Sequence, residues 1–256
     1  MHDYQGQYIW IIGASSGIGE ALAAELAKRG ACLALSARRA DKLEALATTL
    51  DGDGHIIAPL DVSDAETIQS AQKTLLNTFP RIDRVIFLAA IYSPHDGNQK
   101  PLSFIHDMID VNLGGAFNLI DSIQPQFEHQ GKGQIVLCAS VAGYRGLPNG
   151  QPYCATKAAL ISLGESLKVE YEPKNIDVKI ICPGFIKTPL TDKNDFPMPM
   201  MITADKAANA IANGLSARGF EIHFPKKFTW LMKIINIMPR WMFFPLARKM
   251  IKEQSP

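Results

Sequence analysis

The chain has 256 residues, of which 47% are hydrophobic and 20% are charged, a balance typical of a globular protein. Its formal charge of +1 at pH 7 gives no overall field that attracts nucleic acid, and we expect no nucleic-acid partner. Four scattered cysteines without a Cys-x-x-Cys pair favour buried thiols in a reducing compartment over disulfides or a metal site. The polar start has neither the basic region nor the long apolar run of a signal peptide, so we expect a cytoplasmic protein.

Short apolar runs alternate with amphipathic stretches along most of the chain. Near-continuous apolar runs are typical of parallel strands buried on both faces, and they predict strands at 8–12, 32–36, 55–58, 84–89, 134–139 and 178–182. Helical periodicity predicts helices at 18–29, 40–50, 65–78, 104–127 and 152–171, then near 205–217, before a last strand near 220–224. This order predicts a single α/β domain over residues 1–225, with a doubly wound parallel β-sheet and helices on both faces.

A glycine-rich segment joins the first predicted strand to the first predicted helix. Glycines in such a turn let the backbone approach a pyrophosphate, which the exposed N–H groups of the helix N-terminus attract. The alternative is a tight turn without a ligand. We predict a dinucleotide site that includes Gly13, Ser15, Ser16, Gly17, Ile18 and Gly19.

The spacing Gly-x-x-x-Gly-x-Gly resembles that of the short-chain dehydrogenase/reductase family, and the resemblance extends from Tyr8 to about Thr188. The other segments that carry it are Asp61-Val62, Asn112, Ser140, Tyr153-Cys154-Ala155-Thr156-Lys157 and Pro183-Gly184-Phe185-Ile186-Lys187-Thr188. The resemblance implies a Rossmann-type fold and hydride transfer between a nicotinamide cofactor and a carbonyl or alcohol. It also implies cofactor contacts at Asp61, Val62, Ala89, Tyr153, Lys157, Pro183, Gly184, Ile186 and Thr188.

Four residues stand where the resembled family keeps its catalytic groups. By this resemblance Tyr153 is the acid/base, and Lys157 lowers its pKa and binds the nicotinamide ribose. Ser140 polarises the substrate oxygen, and Asn112, inside the long fourth helix, holds a water that relays protons. Tyr153 and Lys157 are four residues apart, so on a helix they share a face, where an ammonium group favours the phenolate.

Two positions depart from the family pattern, which usually has Thr before the first motif glycine and Asn-Ala-Gly after the fourth strand. Here these places hold Ile12 and Leu88-Ala89-Ala90. If the strand order resembles the family's, Ile12 and Leu88 end neighbouring strands. We therefore predict that their two side chains touch, an apolar contact in place of a polar one.

The end of the second strand indicates which nicotinamide cofactor is bound. An NAD site needs a carboxylate there to accept hydrogen bonds from the ribose hydroxyl groups, and Ser36-Ala37-Arg38-Arg39 offers none. The guanidinium group of Arg38 can instead hold a 2′-phosphate with two charge-assisted hydrogen bonds. Two arginines on a solvated loop are the alternative, but the missing carboxylate favours NADP(H).

The segment 189–203, PLTDKNDFPMPMMIT, lies where the resembled family has its substrate lid. Its apolar residues Phe196, Met198, Met200 and Met201 favour an apolar carbonyl or alcohol, unless they only pack the lid onto the body. The competing function is a nucleotide-binding, redox-responsive scaffold without turnover. A complete set of Ser140, Tyr153 and Lys157 argues against it, since a scaffold would not require all three.

Residues 226–256 form a basic, aromatic-rich tail with seven Lys or Arg and one acid, Glu253. Two short helices are predicted at 228–237 and 241–250, separated near Met238-Pro239 and interrupted at Pro245. Three interpretations of the tail stay open: a cap over the substrate pocket, a subunit contact, or an anchor lying on an anionic membrane. The family resemblance also implies a homodimer or homotetramer that pairs the helices carrying Asn112 and Tyr153.

Overall fold

The computed structural model describes residues 3–93 and 101–252, so residues 253–256 of the predicted tail lie outside the described residues. The strands are β1 Tyr8–Ile12, β2 Cys32–Ser36, β3 Ile56–Ile57, β4 Arg84–Phe87, β5 Gly133–Cys138, β6 Ile176–Pro183, β7 Ile186–Lys187, β8 Ile202–Thr203 and β9 Glu221–Phe224. The α-helices are α1 Gly17–Lys28, α2 Ala40–Ala47, α3 Ala65–Thr78, α4 Leu102–Ile109, α5 Gly115–Gln130, α6 Tyr153–Tyr171, α7 Ala204–Leu215, α8 Lys226–Ile237 and α9 Arg240–Lys252.

Within the described residues, seven strands form one parallel sheet in the order β3-β2-β1-β4-β5-β6-β9, and β7 pairs with β8 separately. The chain leaves β1 toward one edge through β2 and β3, then returns to β4 on its other side and continues toward the opposite edge. This is the doubly wound, Rossmann-type sheet that the sequence predicts, and that prediction is confirmed.

The two faces of the sheet are covered by separate apolar cores. On β1, Trp10 and Ile12 face the core shared with α3, α5 and α6, whereas Ile9 and Ile11 face the core shared with α1, α2 and α7. All four side chains are fully buried. Burial on both faces explains why the strands are continuous apolar runs rather than alternating ones. The loops at the carboxyl ends of the strands stay free to form a site.

The predicted helix at 104–127 is not one continuous α-helix. It consists of α4, a π-helical turn over Asp110–Gly114, and α5. A Cβ on Gly115 would lie 2.7 Å from Cβ of Val62, so α5 packs closely against the loop after β3 only because this position is glycine. The wider turn inserts one residue into the helix, which apolar periodicity alone does not reveal.

The predicted contact between the side chains of Ile12 and Leu88 is wrong. In the parallel register Ile12 pairs with Phe87, so Leu88, one residue further on, points to the opposite face of the sheet. Ile12 accordingly belongs to one core and Leu88 packs against the other. The two residues are joined through the backbone instead, where the Leu88 N–H donates to the Ile12 carbonyl at 2.8 Å.

The tail forms the two predicted helices, as α8 and α9, but the predicted interruption at Pro245 is wrong. Pro245 lies inside α9, which continues to Lys252. A proline removes one helical hydrogen bond, and at this exposed position water can replace it. Of the helices in residues 3–93 and 101–252, none combines the length and the apolar character needed to cross a membrane.

Candidate active site

A cleft of about 430 Å³ opens at the carboxyl edge of the sheet, along the ends of β1, β4, β5 and β6. Ser140 lines it, and so does every residue predicted to contact the cofactor: Gly13, Ser15, Ser16, Gly17, Ile18, Gly19, Arg38, Asp61, Val62, Ala89, Tyr153, Lys157, Pro183, Gly184, Ile186 and Thr188. These segments are far apart in the sequence and converge because the carboxyl ends of parallel strands meet at one edge. Asn112 lies behind the wall of the cleft.

Two glycines allow the turn after β1 to close tightly. Gly13 has a φ of +95°, and a Cβ there would lie 2.7 Å from the backbone nitrogen of Ala89. A Cβ on Gly19 would lie 2.1 Å from the carbonyl oxygen of Gly13, so the first turn of α1 packs directly on the end of the strand. Ser16 precedes α1 and makes no side-chain capping hydrogen bond, which leaves the helix N–H groups available to an anion. The turn therefore fits a phosphate-bearing cofactor.

Two guanidinium groups stand just past the end of β2. The Arg38 side chain is 65% exposed, and its Nη1 lies 4.0 Å from Oδ2 of Asp61. Arg39 reaches back to the glycine turn, where its Nη2 donates to Oγ of Ser15 at 3.1 Å. Burial raises the pKa of Asp61, but hydrogen bonds from Ser63 and the charge of Arg38 outweigh it and hold that pKa below its usual value. Among the described residues that line the cleft, Asp61 is the one carboxylate.

Ser140 and Tyr153 meet in the cleft. Oγ of Ser140 accepts a hydrogen bond from the N–H of Ala142 at 3.1 Å, which fixes the hydroxyl group at the start of a 3-10 turn after β5. Tyr153 begins α6 and lines the same cleft as Ser140. Burial raises the pKa of Tyr153, and the neighbouring Ser140 side chain opposes this only in part. The phenol is therefore protonated at neutral pH, the form that donates a proton.

Lys157 lies one helical turn after Tyr153 and is almost completely buried. Its Nζ donates to the carbonyl oxygen of Cys138 at 2.8 Å and lies 5.5 Å from the centre of the Tyr153 ring. Burial lowers the pKa of Lys157. At this distance the ammonium group favours a phenolate, but burial sets the direction at Tyr153. The pKa of Tyr153 is thus raised in the structure, and its lowering by Lys157 together with an oxidised nicotinamide stays a prediction.

Asn112 is fully buried in the π-helical turn, and its side chain binds protein groups directly. Oδ1 accepts a hydrogen bond from the N–H of Ile91 at 2.8 Å, and Nδ2 donates to the Ile91 carbonyl at 3.0 Å. Nδ2 also lies 3.4 Å from Oγ1 of Thr156 on α6. Asn112 therefore ties the chain after β4 to the helix that carries Tyr153 and Lys157. Its predicted role in holding a water stays a prediction.

Tyr92 is a candidate functional residue that the motifs did not predict. Its ring packs edge-on against Tyr153 with the ring centroids 4.9 Å apart, and its hydroxyl group donates to Oδ1 of Asn194 at 2.9 Å. Burial raises the pKa of Tyr92 to about 12, so the hydroxyl stays protonated at physiological pH. Tyr92 thus links the predicted lid to Tyr153. The one signal in the sequence was its place just after a predicted strand, at the edge where such sheets bind ligands.

The predicted lid, residues 189–203, borders the cleft, and its first residues line it: Pro189, Leu190 and Thr191. Of the four apolar residues that the sequence analysis names in this segment, Phe196, Met198 and Met201 are half-buried and Met200 is exposed. The ring of Phe196 lies edge-on to Phe185 with the centroids 6.0 Å apart. Most of the apolar surface of the segment therefore turns toward the body of the molecule.

The doubly wound sheet and the glycine-lined cleft at its carboxyl edge define a Rossmann-type protein. Comparison with known proteins adds the family: the sequence pattern described as short chain dehydrogenase matches residues 7–197. The chain belongs to this family of short-chain oxidoreductases.

Three similar proteins illustrate the relationship. An uncharacterized oxidoreductase of Myxococcus xanthus (strain DK1622) is 31% identical over 242 residues, which are 94% of this chain and 96% of that protein. The 11-beta-hydroxysteroid dehydrogenase-like 2 protein of Arabidopsis thaliana is 33% identical over 247 residues, 91% of this chain and 78% of that protein. Among solved structures, the alcohol dehydrogenase of the archaeon Thermococcus sibiricus, complexed with 5-hydroxy-NADP, is 28% identical with a TM-score of 0.76. That comparison covers 85% of this chain and 95% of the other.

Proposed function

We propose that the chain is an NADP(H)-dependent short-chain oxidoreductase that interconverts an apolar carbonyl compound and its alcohol. The observation that carries the proposal is the convergence of Ser140, Tyr153 and the buried Lys157 in one glycine-lined cleft, with Nζ of Lys157 5.5 Å from the centre of the Tyr153 ring. Tyr153 is the general acid and base, and Ser140 donates a hydrogen bond to the substrate oxygen. The competing hypothesis is a redox-responsive scaffold without turnover, and such a scaffold would not require Ser140, Tyr153 and Lys157 together.

In the direction of carbonyl reduction, the hydroxyl group of Tyr153 gives its proton to the substrate oxygen while Ser140 stabilises the charge that develops there. Lys157 then stabilises the phenolate that is left, and Asn112 holds a water through which protons are returned. A nicotinamide cofactor bound in the cleft would supply the hydride, and the positive charge of its oxidised form would add to that of Lys157 in stabilising the phenolate of Tyr153. In alcohol oxidation the same phenolate accepts the proton.

The residues around the end of β2 support NADP(H) over NAD(H). Arg38 and Arg39 bring two guanidinium groups to this end of the cleft, and the sequence places no carboxylate directly after the strand. Arg38 recognises the 2′-phosphate by charge-assisted hydrogen bonds. The related alcohol dehydrogenase of Thermococcus sibiricus was solved with an NADP derivative, which agrees with this assignment. The remaining contacts are those predicted, from Asp61 and Val62 to the segment that ends at Thr188.

The aromatic pair of Phe185 and Phe196 beside the cleft supports an apolar substrate. The names of two relatives, an alcohol dehydrogenase and a hydroxysteroid dehydrogenase-like protein, agree with a hydroxyl or carbonyl group as the reacting centre. An NADPH-oxidation assay over a panel of apolar aldehydes and ketones tests the proposal. We expect turnover with at least one compound and faster turnover with NADPH than with NADH. Tight NADPH binding without oxidation by any compound would instead support the scaffold hypothesis.

Tyr92→Phe is expected to raise KM about 2- to 10-fold, the range of one neutral hydrogen bond, and to change kcat less. The substitution keeps the ring against Tyr153 and removes the hydrogen bond that holds the lid through Asn194. Asn194→Ala should give the same shift in KM, and the double variant should add little to either single one. Independent, additive effects would show that this hydrogen bond does not position the lid.

We also propose a homodimer or homotetramer in the cytoplasm. The helices around Asn112 and Tyr153 expose large apolar side chains: Leu102 and Ile109 on α4, Phe117 on α5 and Val169 on α6. Pairing of these helices across subunits would cover them. The four cysteines are free thiols, which supports a reducing compartment.

A further inference from the structure

The inner face of α8 fixes the tail against the body of the protein. Phe228 and Met232 are buried in a small apolar cluster with Val141, and Tyr144 and Phe185 pack against it. The Phe228 ring lies 5.3 Å from that of Phe185, centroid to centroid. The tail is therefore a docked element, and it docks on the two segments that flank the cleft, after Ser140 and after Gly184.

Polar contacts hold the same helix in place. Arg145 donates through Nη1 to the carbonyl oxygens of Asn236 at 2.6 Å and Met238 at 2.7 Å, which are otherwise unsatisfied groups at the end of α8. Its guanidinium group also stacks 4.2 Å from the ring centre of Phe243 on α9. Lys233 forms an ion pair with Glu221 on β9. These contacts fix which face of each tail helix is turned outward.

The outward face of the tail is apolar as well. Of the thirteen exposed large hydrophobic side chains in the described part of the chain, eight lie on α8 and α9: Trp230, Leu231, Ile234, Ile237, Trp241, Met242, Phe244 and Leu246. Ile237 and Trp241 are 81% and 75% exposed. Positions 230, 234 and 237 recur at helical spacing, so they form one stripe along α8. An exposed apolar stripe of this kind marks an interaction site.

The charge of the tail identifies what this surface binds. Residues 226–252 contain seven Lys or Arg and no acid, and Glu253 reduces the formal charge of the tail to +6. Because the whole chain carries +1, residues 1–225 carry −5. A symmetric contact between two tails would set basic residues against basic residues with no acid of α8 or α9 to pair with them. An anionic surface with an apolar interior satisfies both the charge and the exposed aromatic and aliphatic side chains.

We propose that α8 and α9 form an in-plane anchor that binds the surface of an anionic lipid bilayer. The apolar stripe of Trp230, Ile234 and Ile237 inserts at the headgroup boundary, and the Lys and Arg side chains bind the lipid phosphates. Since the inner face of α8 contacts Phe185, whose ring in turn contacts Phe196 of the lid, the anchor sets the substrate end of the cleft next to the bilayer. Resting on the proposed function, this assigns the substrate to carbonyl compounds or alcohols that dissolve in membranes.

Cosedimentation of the full chain with vesicles tests the anchor without any catalytic assay. The vesicles contain phosphatidylcholine, alone or with an equal amount of phosphatidylglycerol. We expect binding to the anionic vesicles at low salt, with weaker binding at high salt and on phosphatidylcholine alone. Ile234→Glu/Ile237→Glu should weaken binding about tenfold or more, because two charges enter the inserted stripe.

Lys206→Glu is the matched control, since it also changes the net charge by −2 but lies on the exposed surface of α7, outside the tail. It should bind vesicles like the unaltered chain. Unchanged thermal unfolding and NADPH affinity show that the double variant is folded. This variant is preferable to truncation at Pro225, because removal of α8 would uncover Val141 and Tyr144 beside the cleft.

Three results would overturn the anchor. One is a full chain that stays in the supernatant with anionic vesicles at low salt, and another is a folded double variant that binds as well as the unaltered chain. The third combines two observations: the unaltered chain does not bind vesicles, and the double variant has a lower oligomer mass by light scattering. That result would make the surface a subunit contact.

Turnover separates the two proposals. Vesicle binding without NADPH oxidation by any panel compound would exclude the proposed function and would still support the anchor. If both proposals hold, the double variant should turn over a bilayer-dissolved substrate about tenfold more slowly, and its turnover of a water-soluble substrate should not change.

Discussion

Tyr153→Phe is expected to reduce kcat about 100-fold or more, the scale of general acid catalysis, and to leave the Kd for NADPH nearly unchanged. The substitution removes one hydroxyl group from a half-buried side chain at the start of α6, in the cleft that Ser140 also lines. Since the ring remains, its edge-on packing with Tyr92 and the ammonium group of Lys157 beneath it are retained. Steady-state turnover of the best panel substrate and NADPH fluorescence titration measure the two quantities.

Tyr171→Phe provides the control for that experiment, because it removes a phenol hydroxyl from the far end of the same helix, where the hydroxyl bonds to Gln124. It should leave kcat and the NADPH affinity unchanged. Retention of the unaltered kcat by Tyr153→Phe would exclude Tyr153 as the acid/base. A loss of kcat accompanied by an equal loss of NADPH affinity would point to a damaged cleft rather than to a missing proton donor.

Arg38→Ala is expected to weaken NADPH binding by about 1.5–3 kcal/mol, or about 10- to 150-fold, and to leave NADH binding almost unchanged. The reason is that a guanidinium group binds a 2′-phosphate through charge-assisted hydrogen bonds, and NADH has no 2′-phosphate. The side chain is 65% exposed and is held near the cleft by Asp61, so its removal should not disturb the core. Isothermal titration with both cofactors gives the two affinities directly.

Lys42→Ala is the matched control for Arg38, since it removes one positive charge from the exposed face of α2, just after the same loop. It should weaken NADPH binding by less than about threefold through the general field alone. If Arg38→Ala lowers the affinities for NADPH and NADH equally, Arg38 does not bind the 2′-phosphate. Arg39, bound to Ser15, would then be the next residue to replace.

The sheet could be predicted from the sequence because its strands are buried on both faces and therefore form continuous apolar runs. Observed and predicted bounds agree within three residues for most elements, and for α3 they coincide at Ala65–Thr78. The break at Asp110–Gly114 was not predicted, since the whole segment was interpreted with α-helical spacing and a π-helical turn adds one residue to it. The side of the sheet on which Leu88 lies depends on the register with Ile12, which periodicity does not fix.

The motifs identified the residues that line the cleft, but they did not predict the contacts between those residues and their neighbours. Gly13, Ser140 and Tyr153 were found because their spacing along the chain is characteristic. Tyr92 and Asn194 are 102 residues apart and meet only in the folded protein, so no local pattern marks them. The pKa of Tyr153 is a similar case. The spacing shows that Lys157 is near, whereas the depth of burial that raises this pKa is a property of the fold.

The order of the strands also determines the order in which this chain can fold. Every neighbouring pair in the described sheet is parallel, so each pairing must first close a loop long enough to contain a crossover. The edge strand β9 joins the sheet beside β6, and α8 follows it directly. The helix can find its contacts with Val141 and Phe185 only after both neighbouring segments are in place. The orientation of the outward apolar stripe thus depends on segments that precede it in the chain, and during synthesis those segments leave the ribosome before the stripe does.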